Sequence, residues 1–230
     1  RSARFYRSLA AQTIFLSRRW HSAAPGLPRF EALTGLLYAG LSFEGMDAHV
    51  EPAREALGAE CARQVDAQGG IPTRNPEELL EVFTLLTWAQ SALEDADRTP
   101  DEEHLAAIAR IAPTLRRLRH ADGGLARFQG GGRGLEGRLE TALAASGVRA
   151  RHAEGLAMGY ARLSGGRTSL IVDAAPPPGG AASGGAGLLG APREPGREGA
   201  GEGRQGRGGR EGREGRRGRP GRLEGCRGRR

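Results

Sequence analysis

The sequence predicts a mainly α-helical fold of antiparallel helix pairs, followed by a β-hairpin and a disordered tail. Apolar residues recur at helical spacing through most of the first 145 residues. Two segments carry strong helix-start signals, and the pattern changes to strand-like alternation at Tyr160. A run of helices joined by loops is typical of stacked antiparallel pairs.

The first three helices are predicted from periodicity alone. Each shows one apolar stripe, as expected for a helix with a single buried face. The first helix ends near His21, the second follows Pro28, and the third ends near Val65. The stripe positions are Phe5, Leu9, Thr13, Leu16 and Trp20 in the first helix, Phe30, Leu33, Leu37 and Leu41 in the second, and Val50, Leu57, Cys61 and Val65 in the third.

The next two helices have capping sequences. Asn75-Pro76-Glu77-Glu78 and Thr99-Pro100-Asp101-Glu102 each provide a capping side chain, a proline for the first helical position and a glutamate three residues after the cap. Leu79, Val82, Phe83, Leu86 and Ala89 mark the buried face of the fourth helix, and Leu105, Ile108, Leu115 and Leu118 that of the fifth. Pro113 is expected to bend the fifth helix. A shorter sixth helix is predicted at about 135–145.

A β-hairpin is predicted after the helices. Its strands are residues 160–163 and 168–173, and the turn at 164–167 contains two glycines that can adopt positive φ. Because two strands alone are only marginally stable in water, the hairpin is expected to begin a separate sheet domain. The predicted organisation is therefore a helical domain at 1–155, the start of a sheet domain at 156–178 and a disordered tail at 179–230.

The tail carries the net charge of the chain. Residues 191–230 contain thirteen arginines and six glutamates, a net charge of +7 that equals the net charge of all 230 residues. With almost no apolar side chains, this segment cannot offset its ordering entropy by burial. RNA binding through the Arg/Gly repeats is an alternative function, but aromatic residues are absent and glutamates are interspersed, so nucleic acid is not the favoured partner. The absence of lysine from the chain indicates GC-rich DNA. An out-of-frame translation of such DNA explains the tail better, since the tail begins abruptly in mid-domain, consists largely of Arg, Gly, Glu and Pro, and leaves the sheet domain unfinished.

Several other classes of function are not supported by the sequence. No stretch of about 18 apolar residues predicts a membrane span. Cys61 and Cys226 form neither a disulfide framework nor a metal-binding spacing, and Gly130-Gly131-Gly132 lacks the Lys and Ser/Thr of a phosphate-binding loop. We predict no cofactor and no metal. Because the chain starts at Arg1, we expect that any targeting peptide was removed or lay outside this sequence.

Four segments together resemble bacterial heparinase II/III-like proteins. They are Gln68-Gly69-Gly70-Ile71-Pro72-Thr73-Arg74-Asn75-Pro76, the run from Ile111 to Gly130, Gly159-Tyr160-Ala161-Arg162-Leu163, and the run from Ile171 to Pro178. The resemblance covers about residues 1–178. It implies an α/α toroid followed by a β-sandwich, and a polysaccharide lyase that cleaves uronate-containing acidic glycans by β-elimination. It also implies an acidic polysaccharide as partner and a periplasmic or cell-envelope location.

The resemblance also implies a set of site residues. His120, Asn75 and Tyr160 are the candidate catalytic residues, and Arg74 and Arg119 are the candidate substrate-binding residues. Each has a structural alternative: Asn75 as a helix cap, His120 as a histidine stabilised by a helix C-terminus, the arginines as a solvated helix end, and Tyr160 as a ring packed under the hairpin. Local sequence favours the structural alternative for Asn75, for the arginines and for Tyr160, and leaves His120 evenly balanced.

Part of the family's catalytic set is missing. Ile71 stands where the family pattern has a histidine, and no histidine follows Asp173-Ala174-Ala175-Pro176. β-Elimination needs a group that neutralises the uronate carboxylate, a base and an acid. We therefore expect this truncated form to be inactive, with non-catalytic binding of acidic glycans as the alternative function.

Overall fold

The computed structural model describes residues 2–149, 155–166 and 168–176. Within these ranges the protein is mainly helical, with six α-helices and one two-stranded antiparallel sheet, which confirms the coarse fold prediction. The helices are α1 (Ser2–Arg19), α2 (Leu27–Ser42), α3 (Val50–Gln64), α4 (Pro76–Asp95), α5 (Glu102–Leu118) and α6 (Arg138–Ala145), and the strands are β1 (Tyr160–Gly165) and β2 (Thr168–Asp173). The contacts divide the chain into residues 1–195, which hold all these elements, and residues 196–230. The predicted disordered tail, 179–230, lies outside the described residues.

Successive helices alternate between two packed rows. α2 packs against both α3 and α4, α5 also packs against both α3 and α4, and α6 packs against α4. One row therefore contains α2, α4 and α6, and the other contains α3 and α5. α1 lies against α2. The core between the rows consists of fully buried side chains, the largest of which include Phe30, Leu33, Leu37, Leu57, Leu79, Phe83, Leu86 and Leu115.

α4 and α5 both begin at a capping side chain, which is the predicted residue in α4 and a different one in α5. Asn75 is the cap of α4, as predicted, and its side chain accepts hydrogen bonds from the backbone N–H groups of Glu77 and Glu78. The predicted cap of α5, Thr99, is wrong, because Asp101 occupies that position and its carboxylate accepts from the Glu103 N–H. Asp101 also pairs with Arg54 of α3 at 3.5 Å. The cap of α5 therefore lies two residues later than the local sequence indicates, and the capping side chain also contacts α3.

Three other details differ from the sequence-based predictions. Phe5 is 61% exposed and lies outside the buried stripe, while Thr13 is buried as expected. Leu105 is 37% exposed rather than buried. α6 begins at Arg138 instead of about residue 135, because Gly137 caps it in the left-handed conformation with a φ of 76°. α5 is one helix through Pro113.

The hairpin is confirmed, with β2 as predicted and β1 two residues longer than predicted. Its strands pair from Tyr160 opposite Asp173 to Gly165 opposite Thr168. It contacts the helical part chiefly through β1 and α5. Tyr160 and Ile171 are both buried, so one side of the hairpin contributes to the core. The hairpin thus packs directly on the helices.

Gly58 of α3 tests the interaction between α3 and the cap of α5. A Cβ at Gly58 would lie 2.1 Å from Asp101 Oδ1, too close to coexist with the cap. We expect Gly58→Ala to leave the stability unchanged or to lower it by up to about 0.5 kcal/mol, because the lost cap costs about 1 kcal/mol and offsets the 0.5–1 kcal/mol that alanine contributes inside a helix. Urea denaturation measures this difference.

Gly35 of α2 is the matched control, because its Cβ would meet only Leu16 Cδ2 at an ordinary 3.8 Å. Gly35→Ala should stabilise the protein by about 0.5–1 kcal/mol, through the usual preference for alanine in helices. Equal effects of the two substitutions would contradict the assignment of Asp101 as the cap.

Candidate functional site

The candidate site residues fall into two groups. Arg74, Asn75 and Tyr160 belong to a network that joins the start of α4 to the hairpin. Arg119 and His120 lie just after the C-terminus of α5, where a tight loop runs from Arg119 to Leu125. The sequence places Arg74 and Asn75 side by side, but the position of Tyr160 beside them depends on folding.

Arg74 is the centre of the first group. Its side chain is only 10% exposed and pairs with the carboxylate of Asp173 at the end of β2. The guanidinium Nε donates to the backbone oxygen of Met158 at 3.1 Å, and Nη1 donates to that of Pro176 at 2.6 Å. The backbone of Arg74 is left-handed, with a φ of 54°, which is uncommon for a residue with a side chain. Arg74 therefore binds the chain just before β1 and just after β2.

Tyr160 completes this network from the hairpin side. Its hydroxyl donates to the backbone oxygen of Arg74 at 2.7 Å, and the Arg74 guanidinium lies 4.8 Å from the centre of its ring. The ring of Phe128 stacks on that of Tyr160, with 4.3 Å between the ring centroids. Burial raises the pKa of Tyr160 to about 12, which disfavours the phenolate that a catalytic base requires. The geometry matches the structural alternative, a ring packed under the hairpin.

Asn75 caps the N-terminus of α4. Its Oδ1 accepts the two N–H groups of the first helical turn, at 2.9 and 3.2 Å, and its Nδ2 donates to the Gln129 backbone oxygen at 3.4 Å. Glu77 accepts the N–H of Gly132 at 2.6 Å, so the loop 129–132 lies against the same helix start. A Cβ at Gly131 would come within 2.3 Å of Asn75 Oδ1. The glycine run therefore permits a close approach between this loop and α4, a role that its sequence alone does not reveal.

His120 is almost completely buried, at 9% exposure. Its backbone N–H donates to Gly124 at 2.8 Å, which closes the loop, but its imidazole Nδ1 has no hydrogen-bond partner within the described residues. Burial lowers its pKa, Arg162 lowers it further, and Asp122 partly opposes both. The ring is therefore held in its neutral form near pH 7, the form that can accept a proton.

Arg162 of β1 fixes the backbone beside His120. Its Nη1 donates to the backbone oxygens of Arg117 at 3.0 Å and of Arg119 at 2.5 Å. These two oxygens belong to the end of α5, where unpaired carbonyl groups favour a cation. The sequence alone does not indicate this role of Arg162, because its partners lie more than forty residues earlier in the chain.

Arg119 faces a cleft of about 760 Å³ between the loop after α5 and the start of α6. The charged side chains in this cleft form exposed ion pairs, Arg119 with Glu140 at 2.6 Å and Arg133 with Asp122 at 3.2 Å. Exposed pairs of this kind contribute little stability and can exchange for an external carboxylate. Glu136 adds a further negative charge to the lining. Among the proposed site residues, Arg119 is the one with a substantially exposed charged group.

Neither a metal centre nor a membrane span is found in the described part of the chain. Among residues 2–149, 155–166 and 168–176, no three side chains of His, Cys, Asp or Glu come together as metal ligands. No helix in these ranges is long and apolar enough to cross a membrane. Burial raises the pKa of the Cys61 thiol, so this cysteine is a poor nucleophile.

Comparison with known proteins gives one distant relative. No protein-family model matches the chain, and no solved structure matches it. FtsZ-localized protein C of Caulobacter vibrioides (strain NA1000 / CB15N) is 33% identical over 146 residues, which cover 63% of this chain and 25% of that protein. The chain thus spans about a quarter of the length of this relative.

Replacing Arg74 tests its role in holding the hairpin. We expect Arg74→Met to lower the free energy of unfolding by about 3–5 kcal/mol, because Asp173 is left buried without its partner. Urea denaturation, followed by circular dichroism, measures the change.

Arg98→Met is the control for this substitution, since Arg98 pairs with the largely exposed Asp47. Loss of an exposed pair should cost less than about 1 kcal/mol. If Arg74→Met cost no more than Arg98→Met, the hairpin would be held by other contacts.

Proposed function

We propose that the chain is the helical part of a heparinase II/III-like protein, related to polysaccharide lyases, and that it binds acidic glycans without cleaving them. The observation that carries the proposal is the order of elements: helices that alternate between two rows, followed directly by a hairpin, in the same order as the family-like sequence segments. Alternating rows of helices are the arrangement from which an α/α toroid is built. A closed ring needs additional helix pairs, and a longer parent protein could provide them.

The inactive state follows from the roles of the candidate catalytic residues. The pKa of Tyr160 is raised, and its hydroxyl donates a hydrogen bond to a backbone oxygen. The side-chain oxygen of Asn75 accepts hydrogen bonds from the start of α4. Arg74 is neutralised by Asp173. The remaining candidate base, His120, would still need a partner that stabilises the uronate carboxylate and an acid for the leaving oxygen.

The glycan-binding part of the proposal rests on Arg119 and its surroundings. A uronate carboxylate can replace Glu140 as the partner of Arg119, because both are carboxylates and the pair is exposed to solvent. His120 lies on the same loop but is buried and is not part of the cleft lining, so the proposed contact with the glycan rests on Arg119. The proposed binding surface is the cleft between the loop after α5 and the start of α6.

A binding experiment tests the proposal. Fluorescently labelled acidic oligosaccharides of the heparan and alginate types should bind the full chain, with affinity reduced about tenfold by Arg119→Gln, since charge-assisted hydrogen bonds to one carboxylate are lost. Arg138→Gln is the matched control, because Arg138 forms a similar pair with Glu81 at 2.6 Å outside the cleft lining. No binding, or equal losses for both variants, would contradict the proposal.

The same samples test the absence of catalysis. β-Elimination produces an unsaturated uronate that absorbs in the ultraviolet, and we expect no increase in absorbance with either glycan. Turnover that disappears in His120→Ala would mean that the helical part is catalytic by itself.

A second candidate function comes from the relative. Its name describes a protein localised with FtsZ, and the 33% identity over 146 residues favours a shared interaction surface. We propose as the alternative that this helical part contributes to association with FtsZ. Co-precipitation of the chain with purified Caulobacter FtsZ tests it, with bovine albumin as the negative control, and recovery no greater than that of albumin would exclude direct association.

A further inference from the structure

The outward side of α1 combines an exposed phenylalanine with unneutralised positive charge. α1 packs on α2 through a side that includes the buried Thr13. At about 100° per residue, Arg4, Arg7, Phe15 and Arg18 all lie within about 60° of the direction opposite Thr13. Phe15 is 66% exposed.

The charge on α1 is distributed differently from that in the rest of the described chain. α1 contains Arg4, Arg7, Arg18 and Arg19 and no acidic residue. The ten ion pairs among the described residues involve nine arginines, and none of the nine belongs to α1. Within the described residues, then, no carboxylate lies within 4 Å of the guanidinium groups of α1. The helix presents a local positive field without internal compensation.

We propose that the outward face of α1 binds the surface of membranes that contain anionic phospholipids. Arginine forms paired hydrogen bonds with phosphate oxygens, and aromatic side chains favour the boundary between headgroups and acyl chains. A helix with three arginines and an exposed phenylalanine on one side matches this boundary in both charge and polarity. The inference concerns a surface outside the cleft of the proposed glycan site and does not depend on that function.

An acidic protein partner is the competing occupant. The four arginines favour either occupant, but Phe15 lies on the same convex side as Arg4, Arg7 and Arg18 rather than in a groove. A groove of about 290 Å³ lies between α1 and α2 and is lined by residues such as Leu9, Leu16 and Tyr38. A convex face with basic side chains and one exposed phenylalanine fits a flat, deformable surface better than a shaped protein pocket.

Vesicle sedimentation with the full chain tests the proposal. The chain should sediment with vesicles of mixed phosphatidylglycerol and phosphatidylcholine and remain in solution with vesicles of phosphatidylcholine alone. The triple variant Arg4→Gln, Arg7→Gln, Arg18→Gln should bind about a hundredfold more weakly, since each basic residue contributes about fivefold at an anionic surface. Phe15→Gln should weaken binding several-fold without changing the charge, which separates insertion from attraction alone.

The Arg-rich tail requires a matched control, because its own charge could attract anionic vesicles. The variant Arg213→Gln, Arg216→Gln, Arg217→Gln removes the same charge and leaves α1 intact. It should retain most of the binding. Equal binding to both vesicle types, no binding to either, a loss in the tail variant that matches or exceeds that of the α1 variant, or unchanged binding by Phe15→Gln would each overturn the proposal. Because the substituted α1 residues are exposed, thermal unfolding of the variants should stay within a few degrees of the parent chain.

Discussion

The described fold depends on how Arg74 joins the helical rows to the hairpin. A two-stranded sheet is marginally stable in water, so the hairpin must obtain its stability from contacts with the helices. Arg74 provides a buried ion pair with Asp173 and hydrogen bonds to the backbone before and after the two strands. Burying a guanidinium is favourable only when its charge and its donors are satisfied, and here the hairpin satisfies them. Tyr160 of β1 also contacts Arg74: its hydroxyl donates a hydrogen bond to the Arg74 backbone oxygen, and its ring lies beside the Arg74 guanidinium.

This arrangement limits the chemistry available to the candidate site residues. Three of the five candidate site residues, Arg74, Asn75 and Tyr160, use their polar atoms within the fold. Arg119 retains exposure to solvent, and His120 retains an imidazole nitrogen without a partner among the described residues. These contacts support the proposal that the chain binds acidic glycans without cleaving them. The loop after α5 is accordingly the region on which the functional proposal rests.

Local chemistry determines which features the sequence could predict. The cap at Asn75 and the strands of the hairpin follow from neighbouring residues, and both were predictable. The cap at Asp101 was missed because the sequence offers two capping side chains, Thr99 and Asp101, and the proline and glutamate spacing favours Thr99. The role of Arg74 was also missed, since its partners lie about one hundred residues later in the chain, at Asp173 and Pro176. The burial of His120 and the role of Gly131 depend equally on contacts that form only in the folded protein.

Native-state hydrogen exchange of the full chain tests the central claim, that the hairpin and the helices are held together as one cooperative structure through Arg74. Amide protons that bond across β1 and β2 should exchange with the same opening free energy as those in the middle of α4, since the hairpin cannot detach without exposing Tyr160, Asp173 and Arg74. Exchange of the hairpin amides at a much lower opening free energy, while α4 remains protected, would contradict the claim. It would mean that the hairpin opens independently and that Tyr160 and Arg74 become available to a ligand.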